Sequence, residues 1–122
     1  MTDHGPALDP VVLTSLRKLT PDGEPDVLTE ILTLFLSEAS PRIDRLRNAW
    51  TAGNIEEVHR TAHSLKGSAG NIGARRLQDV CGQLEDKGKS GDLSGVAPLV
   101  DALGAEFDKV EREIRRVLTA AP

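Results

Sequence analysis

Residues 59–73 read HRTAHSLKGSAGNIG, and the interpretation of the whole chain depends on this stretch. Its apolar residues follow the three- and four-residue spacing of an α-helix. Gly67 and Gly70 nevertheless lie inside it, and each costs a helix about 1 kcal/mol relative to Ala. A helix that contains both glycines needs a compensating reason, which could be packing, metal binding or chemistry at His63.

Four long amphipathic segments follow a shorter one along the chain, and short turns that contain Gly or Pro separate them. No stretch alternates in the way a β-strand does, so we predict an all-α fold, an antiparallel up-down-up-down four-helix bundle. The short N-terminal helix is expected to cap one end of it. Residues 1–8 are predicted to form a flexible tail and residues 9–119 a single domain. The predicted segments are 9–19 for the short helix, then 26–53, 54–73, 74 to the KGKSGD run, and 92 or 94 onward.

Individual residues predict how these helices begin, bend and end. Pro41 removes one helical hydrogen bond, but the apolar stripe keeps its phase across it, which predicts one kinked helix and not two. Asn54 is expected to cap the third helix, with Glu57 completing a capping box. Asp92 or Ser94 is expected to cap the last helix.

The composition narrows the functional classes. The chain has 122 residues, a formal net charge of -4, two Phe, one Trp and no Tyr, which disfavours the stacking surfaces that bind nucleic acids. No apolar run approaches the roughly 18 residues of a membrane span. The single Cys81 lies in a helical apolar pattern and is predicted to be a buried, unreactive thiol in a reducing compartment. We therefore predict a cytoplasmic protein with neither nucleic-acid nor membrane partners.

A helical wheel places His63 away from the bundle core. At about 100° per residue, His63 lies roughly 140° from the centre of the apolar stripe of its helix, so it should face solvent or a partner. The residues within about 60° of it are His59, Lys66, Gly67 and Gly70. Gly67, at i+4, removes a side chain that would crowd the ring, while Gly70 keeps the next turn flat. Lys66, at i+3, adds a cation, and such a set suits phosphoryl transfer.

The string HSLKGSAGNIG, from His63 to Gly73, resembles the signature of histidine-containing phosphotransfer (HPt) domains. That signature is a His followed by an apolar residue, Lys, Gly, small residues, an apolar residue and Gly. The flanking segments AWTAGNIEEVHRTA and GARRLQDVCGQLE also resemble the family's helices, so the likeness covers most of residues 9–118. The matching positions are His63, Leu65, Lys66, Gly67, Ile72 and Gly73.

The resemblance implies a function and a set of partners. His63 would accept a phosphoryl group on Nε2 from an aspartate of a response-regulator receiver domain and pass it to another receiver. A hybrid histidine kinase would stand upstream. The receiver would supply Mg²⁺, and this chain, a monomer, would carry no metal or cofactor. It would be an intermediate and not an autonomous kinase, because the sequence has no Gly-rich nucleotide loop.

The resemblance also implies roles for further residues. Lys66 would stabilise the charge of the phosphoryl group. A polar residue of the fourth helix would orient the ring, and Gln83 and Glu85 both remain open for that role. Parts of segment 35–43 could join the docking surface. The expected docking residues are His59, Arg60, Ser64, Gly67, Gly70 and Asn71.

Several alternatives compete with this interpretation. His59 and His63 are spaced i, i+4, and Glu56 with His59 resembles the Glu-x-x-His of di-iron bundles, which would indicate a metal site. The two glycines could serve close helix packing, and His63 could be a core histidine. The chain could be a structural adaptor, or the phosphoacceptor domain of a chemotaxis kinase, which has a similar motif. The short tails and the initial Met favour a free-standing protein over a domain of a sensor kinase.

Overall fold

The structure, a computed structural model, describes residues 6–21 and 26–119, which form five α-helices and contain no strand. The helices are α1 (Pro10–Arg17), α2 (Val27–Ala52), α3 (Ile55–Asn71), α4 (Arg75–Ser90) and α5 (Val96–Thr119). The four long helices form a ring, since α3 packs on α2 and α4, and α5 packs on α4 and α2. Connections of two, three and five residues join successive long helices, as expected for antiparallel neighbours. The all-α bundle with an additional short helix is confirmed.

Helix α3 begins where the sequence predicts, but only half of its capping box forms. The Asn54 side chain accepts a hydrogen bond from the backbone N–H of Glu57 at 3.1 Å. The Asn54 N–H donates to the carbonyl of Ala49 at 2.8 Å, so it does not need the Glu57 carboxylate. At Gly53 the chain adopts a left-handed conformation with φ of 73°, which ends α2 one residue earlier.

Pro41 lies inside an unbroken α2, which confirms the prediction of one helix across it. The predicted cap of the last helix is wrong, because α5 begins at Val96, after a left-handed Gly95 with φ of 76°. The Asp92 side chain instead accepts the N–H of Ser94 at 3.0 Å in the turn that precedes the helix. Short polar side chains favour such turns as well as caps, and the sequence pattern alone does not separate the two.

The core runs along the inside of the four long helices. Phe35 of α2 and Phe107 of α5 meet in it, with ring centroids 6.4 Å apart. Leu8 is also buried, at 1% exposure, so its prediction as part of the flexible tail is wrong. Residues 1–5 of that predicted tail lie outside the described residues. The other large side chains that are fully buried are Leu28, Leu32, Leu46, Val58, Leu65, Ile72, Leu77, Leu84, Val96, Leu103 and Ile114.

Asp9, which caps helix α1, forms hydrogen bonds with Gly73 and Arg75 at the turn between α3 and α4. The backbone N–H of Asp9 donates to the Gly73 carbonyl at 2.9 Å, and its carboxylate accepts from Arg75 Nε at 2.9 Å. These bonds place α1 at one end of the bundle, as predicted. The sequence predicts that the apolar face of the short helix consists of Val11, Val12, Leu16 and Leu19. This is only partly correct, because Val11 is 72% exposed and Leu19, just beyond α1, is 62% exposed. A helix this short contacts the bundle along too narrow a strip to cover all of its apolar residues.

Candidate functional site

His63 lies near the middle of α3 on the face that points away from the core. Its side chain is 68% exposed, whereas Ala62 and Leu65 on the opposite face are fully buried. The helical wheel is therefore confirmed, and the hypothesis of a core histidine is wrong. The exposed ring is accessible to a second protein without any rearrangement of the bundle.

One carboxylate from α4 contacts both His63 and Lys66. Glu85 Oε2 lies 2.7 Å from His63 Nδ1, and Glu85 Oε1 lies 2.5 Å from Lys66 Nζ. Lys66 and Glu85 form an ion pair, and Glu85 Oε1 is shielded from solvent. The Glu85 side chain is 13% exposed, against 38% for the Lys66 side chain.

These contacts shift the pKa values of Glu85 and Lys66. The Lys66 ammonium, followed by the His63 ring, holds the pKa of Glu85 below its usual value, against the opposing effect of partial burial. Glu85 in turn raises the pKa of Lys66, with a smaller contribution from the charge of Asp86. Glu85 is therefore a carboxylate, and Lys66 an ammonium, over the physiological pH range.

The carboxylate determines which nitrogen of the neutral ring can react. An ionised carboxylate only accepts hydrogen bonds, so His63 Nδ1 must carry the proton that bonds to Glu85 Oε2. The lone pair of a neutral imidazole then lies on Nε2. Gln83, the other residue predicted to orient the ring, donates to Asp79 at 3.1 Å and does not touch His63. The structure thus brings Glu85, and not Gln83, to the ring.

The two glycines of α3 have different environments. A Cβ atom at Gly67 would meet no neighbouring atom within 4 Å, so Gly67 leaves open space one turn from His63. A Cβ atom at Gly70 would lie 2.7 Å from Gln78 Nε2 of α4. The end of the flexible Gln78 side chain thus lies over partly exposed Gly70 and could move aside, so the role of this glycine in docking stays a prediction.

His59 faces α4 and is half-buried, and its part in docking stays a prediction. Its ring Nδ1 lies 3.1 Å from the backbone carbonyl of Glu85. The wheel placed it near His63, but the wheel takes no account of the neighbouring helix. Within residues 6–21 and 26–119, no three His, Cys, Asp or Glu side chains are grouped to hold a metal ion.

The other predicted docking residues lie on exposed parts of α3. Arg60 is exposed and pairs with Glu56 at 2.8 Å and with Glu57 at 3.3 Å. Ser64 and Asn71 are also exposed. None of these three residues contacts His63 in a hydrogen bond or ion pair.

A shallow groove between α2 and α3 contains Asn71 and part of the expected segment 35–43, and adds Ile31, Leu34, Ser68 and Ile72, which were not predicted for docking. Leu34, 55% exposed, lies in it, and Arg42 Nη1 donates across its edge to Ser68 Oγ at 3.3 Å. Leu34 is an apolar residue outside the regular stripe of α2, and that irregularity was the available signal. The lining residues are Ile31, Leu34, Phe35, Glu38, Ala39, Arg42, Ser68, Asn71 and Ile72.

Comparison with protein-family models identifies the group to which this bundle belongs. The Hpt domain model matches residues 30–113, which include the whole of α3 and α4 and more than half of the chain. The chain belongs to the HPt family. It is therefore a histidine phosphotransfer protein of multistep phosphorelays, and receiver domains and hybrid kinases are its classes of partner.

Individual HPt proteins show the same likeness. Histidine-containing phosphotransfer protein 2 of Arabidopsis thaliana is 27% identical over 105 residues, which cover 84% of this chain and 67% of that protein. The crystal structure of HptB from Pseudomonas aeruginosa superimposes with a TM-score of 0.87 and 29% identity, covering 97% of this chain and 99% of that one. For MtHPt2 of Medicago truncatula the values are 0.78 and 25%, with 90% and 76% covered. No helix in the described part of this HPt protein could cross a membrane.

Proposed function

We propose that His63 is the phosphoacceptor of this HPt protein and relays a phosphoryl group between receiver domains, as a cytoplasmic monomer. The observation that carries the proposal is the contact of 2.7 Å between His63 Nδ1 and the Glu85 carboxylate. This contact places the ring proton on Nδ1 and leaves Nε2 as the nucleophile of a ring that is 68% exposed.

The chemistry needs no proton transfer to or from this chain. Nε2 of His63 attacks the phosphorus of a receiver aspartyl phosphate, an N–P bond forms, and the bond from phosphorus to the aspartate oxygen breaks. The aspartate leaves as a carboxylate, and the Nδ1 proton stays on the ring beside Glu85. The reverse sequence delivers the group to a second receiver. Such transfer depends mainly on alignment and charge stabilisation, and the receiver's Mg²⁺ supplies part of that charge.

Lys66 supplies positive charge from this side of the interface. It follows His63 by three residues, so the two side chains are neighbours on the surface of α3. Its ammonium is already held near the ring, through Glu85, at 2.5 Å from Oε1. A cation in this position compensates the negative charge that arrives with the phosphoryl group.

The receiver contacts the surface that surrounds His63 on its α2 side. Gly67 leaves the space above the next turn empty, and Ser64 and Asn71 are exposed polar residues of the same helix. The groove between α2 and α3 shares Asn71 with this surface and offers the exposed side chain of Leu34. A receiver that covers both would bury apolar area while reaching the ring.

Transfer of label from a phosphorylated receiver tests the proposal. Wild-type protein incubated with a ³²P-labelled receiver should gain a label that acid removes and alkali does not, as expected for phosphohistidine. His63→Gln should gain none and should keep the circular dichroism spectrum of the wild type. His59→Gln is the matched control and should be labelled. The proposal is wrong if the wild type stays unlabelled or if His63→Gln is labelled equally.

A further inference from the structure

We propose that Glu85 limits the lifetime of phosphorylated His63 by competing with the phosphoryl group for Lys66. This inference rests on the proposed function of His63 and adds a positioning residue that acts through two neighbours. Glu85 would not contact the phosphoryl group itself. It would decide how much of the Lys66 charge that group receives.

The competition follows from the different partners of the two Glu85 carboxylate oxygens. Oε2 holds the Nδ1 proton of His63 at 2.7 Å, and Oε1 holds the Lys66 ammonium at 2.5 Å. The two contacts come from one side chain, so the charge of Lys66 is already neutralised before a phosphoryl group arrives. The Lys66 side chain is 38% exposed, so its ammonium has room to turn away from Glu85.

Phosphorylation of His63 places a second anion within reach of Lys66, in competition with Glu85. A phosphoryl group brings a charge of about -1.5 to -2 and three strong acceptor oxygens, more than the single charge of Glu85. Lys66, one turn from His63 on the same helix, can turn toward it. Oε1 of Glu85, which is shielded from solvent, would then be left without its cation beside a second anion.

The carboxylate therefore raises the free energy of the phosphorylated state. It also keeps the Nδ1 proton on the ring, so the imidazole leaves as a neutral group when the N–P bond breaks and a P–O bond to water or to a receiver forms. The competition for Lys66 is the effect that depends on the charge of Glu85, and it favours release. Replacing Glu85 by Gln keeps an oxygen that can accept from Nδ1 but removes the charge that competes for Lys66.

A set of four proteins tests this inference: wild type, Glu85→Gln, Lys66→Met and the double variant. Each is labelled by a phosphorylated receiver, separated from it, and followed as the label decays. The half-life should rise at least about threefold in Glu85→Gln, as expected for loss of a modest charge interaction. It should fall in Lys66→Met, and the double variant should lose the gain of Glu85→Gln.

Imidazole ¹⁵N chemical shifts of the unphosphorylated proteins provide a second readout that a merely structural role would not change. The Nδ1–H form of His63 should dominate in the wild type and lose part of its population in Glu85→Gln. The inference is overturned if Glu85→Gln decays like the wild type, if its longer half-life survives in the double variant, or if Lys66→Met leaves the half-life unchanged. An unlabelled wild type would instead refute the proposed phosphotransfer, so the two failures are distinct.

Discussion

Gly88 of α4 lies so close to the backbone of His59 in α3 that no side chain fits between the two helices at this point. A Cβ atom on Gly88 would lie 2.8 Å from His59 Cβ and 2.9 Å from its Cα and N atoms. One turn earlier on α4, the carbonyl of Glu85 lies 3.1 Å from His59 Nδ1. This close approach sets how α4 lies along α3, and therefore where Glu85 meets His63.

Gly88→Ala should destabilise the bundle by about 1–3 kcal/mol, because the backbone contacted by the new methyl group cannot move aside cheaply. Gly82→Ala is the matched control on the same helix. Its Cβ would meet Lys66 Cδ at 3.6 Å, an ordinary contact, so that variant should gain up to about 1 kcal/mol of helix propensity. Urea unfolding measures both changes, and a Gly88→Ala protein as stable as the wild type would refute the argument.

Gly67→Ala should make the protein more stable but slow its phosphotransfer. Nothing lies within 4 Å of the new methyl group, so the variant should be more stable by up to about 1 kcal/mol. The methyl group would occupy the space through which a receiver approaches His63, so phosphotransfer should slow by about tenfold, the effect of roughly 1.4 kcal/mol at the interface. Asp101→Ala, an exposed change on the opposite helix α5, should transfer normally. Equal rates for Gly67→Ala and the wild type would exclude this role.

Leu34→Asp should weaken receiver binding and leave the fold intact. Leu34 is 55% exposed in the groove between α2 and α3, so a charge there costs the free protein little but would be desolvated in the complex. The receiver concentration at half-maximal rate should rise about tenfold. Leu19→Asp is the control, since Leu19 is 62% exposed but lies outside the groove. If both variants behave alike, the groove is not part of the docking surface.

The pairing of Glu85 predicts a component of acid sensitivity. Lys66, followed by His63, lowers the pKa of Glu85 from the ordinary value of 4.5. A lowered pKa in the folded state contributes stability that is fully present above the unfolded value and is lost as the pH falls through the folded value. The free energy of unfolding of the wild type should therefore fall more steeply below about pH 4.5 than that of Glu85→Gln. Parallel curves, measured by urea unfolding across this range, would contradict the prediction.

Cys81 should resist thiol reagents in the folded protein. Its side chain is fully buried, and burial raises the pKa of the thiol to about 12, so almost no thiolate exists at neutral pH. This burial confirms the environment predicted from the sequence. Native protein should show no modification in the time that denatured protein needs to react completely, as followed by mass spectrometry. Rapid labelling of the native state would show that α4 opens locally.

The parts of the site that follow from one helix alone could be predicted from the sequence. The exposure of His63 depends only on the periodicity of α3, and the wheel placed it correctly. The choice between Gln83 and Glu85 depends on how α4 is aligned with α3, which periodicity within either helix does not contain. The approach of the Gln78 side chain to Gly70 could not be predicted for the same reason, because Gln78 belongs to α4.

The ends of the chain show a similar limit. Leu8 follows a polar segment that contains one Gly and one Pro, and nothing in its neighbours indicates that it reaches the core, yet it is 1% exposed. Val11 continues the apolar pattern of α1, yet it is 72% exposed. In both cases burial depends on where α1 rests on the bundle, and that position is fixed by the distant contact between Asp9 and Gly73.

The contact between Gly88 and His59 also bears on how this site could be moved into another protein. One helical turn spans about 5.4 Å, so a slip of one turn between α3 and α4 would pull the Glu85 carboxylate out of reach of the imidazole. Grafting the α3 motif onto a foreign helix would transplant the nucleophile without its ring-orienting partner. A graft that keeps both the nucleophile and its partner has to include the helical hairpin of residues 55–90, in which the close approach of Gly88 to His59 fixes how the two helices are aligned.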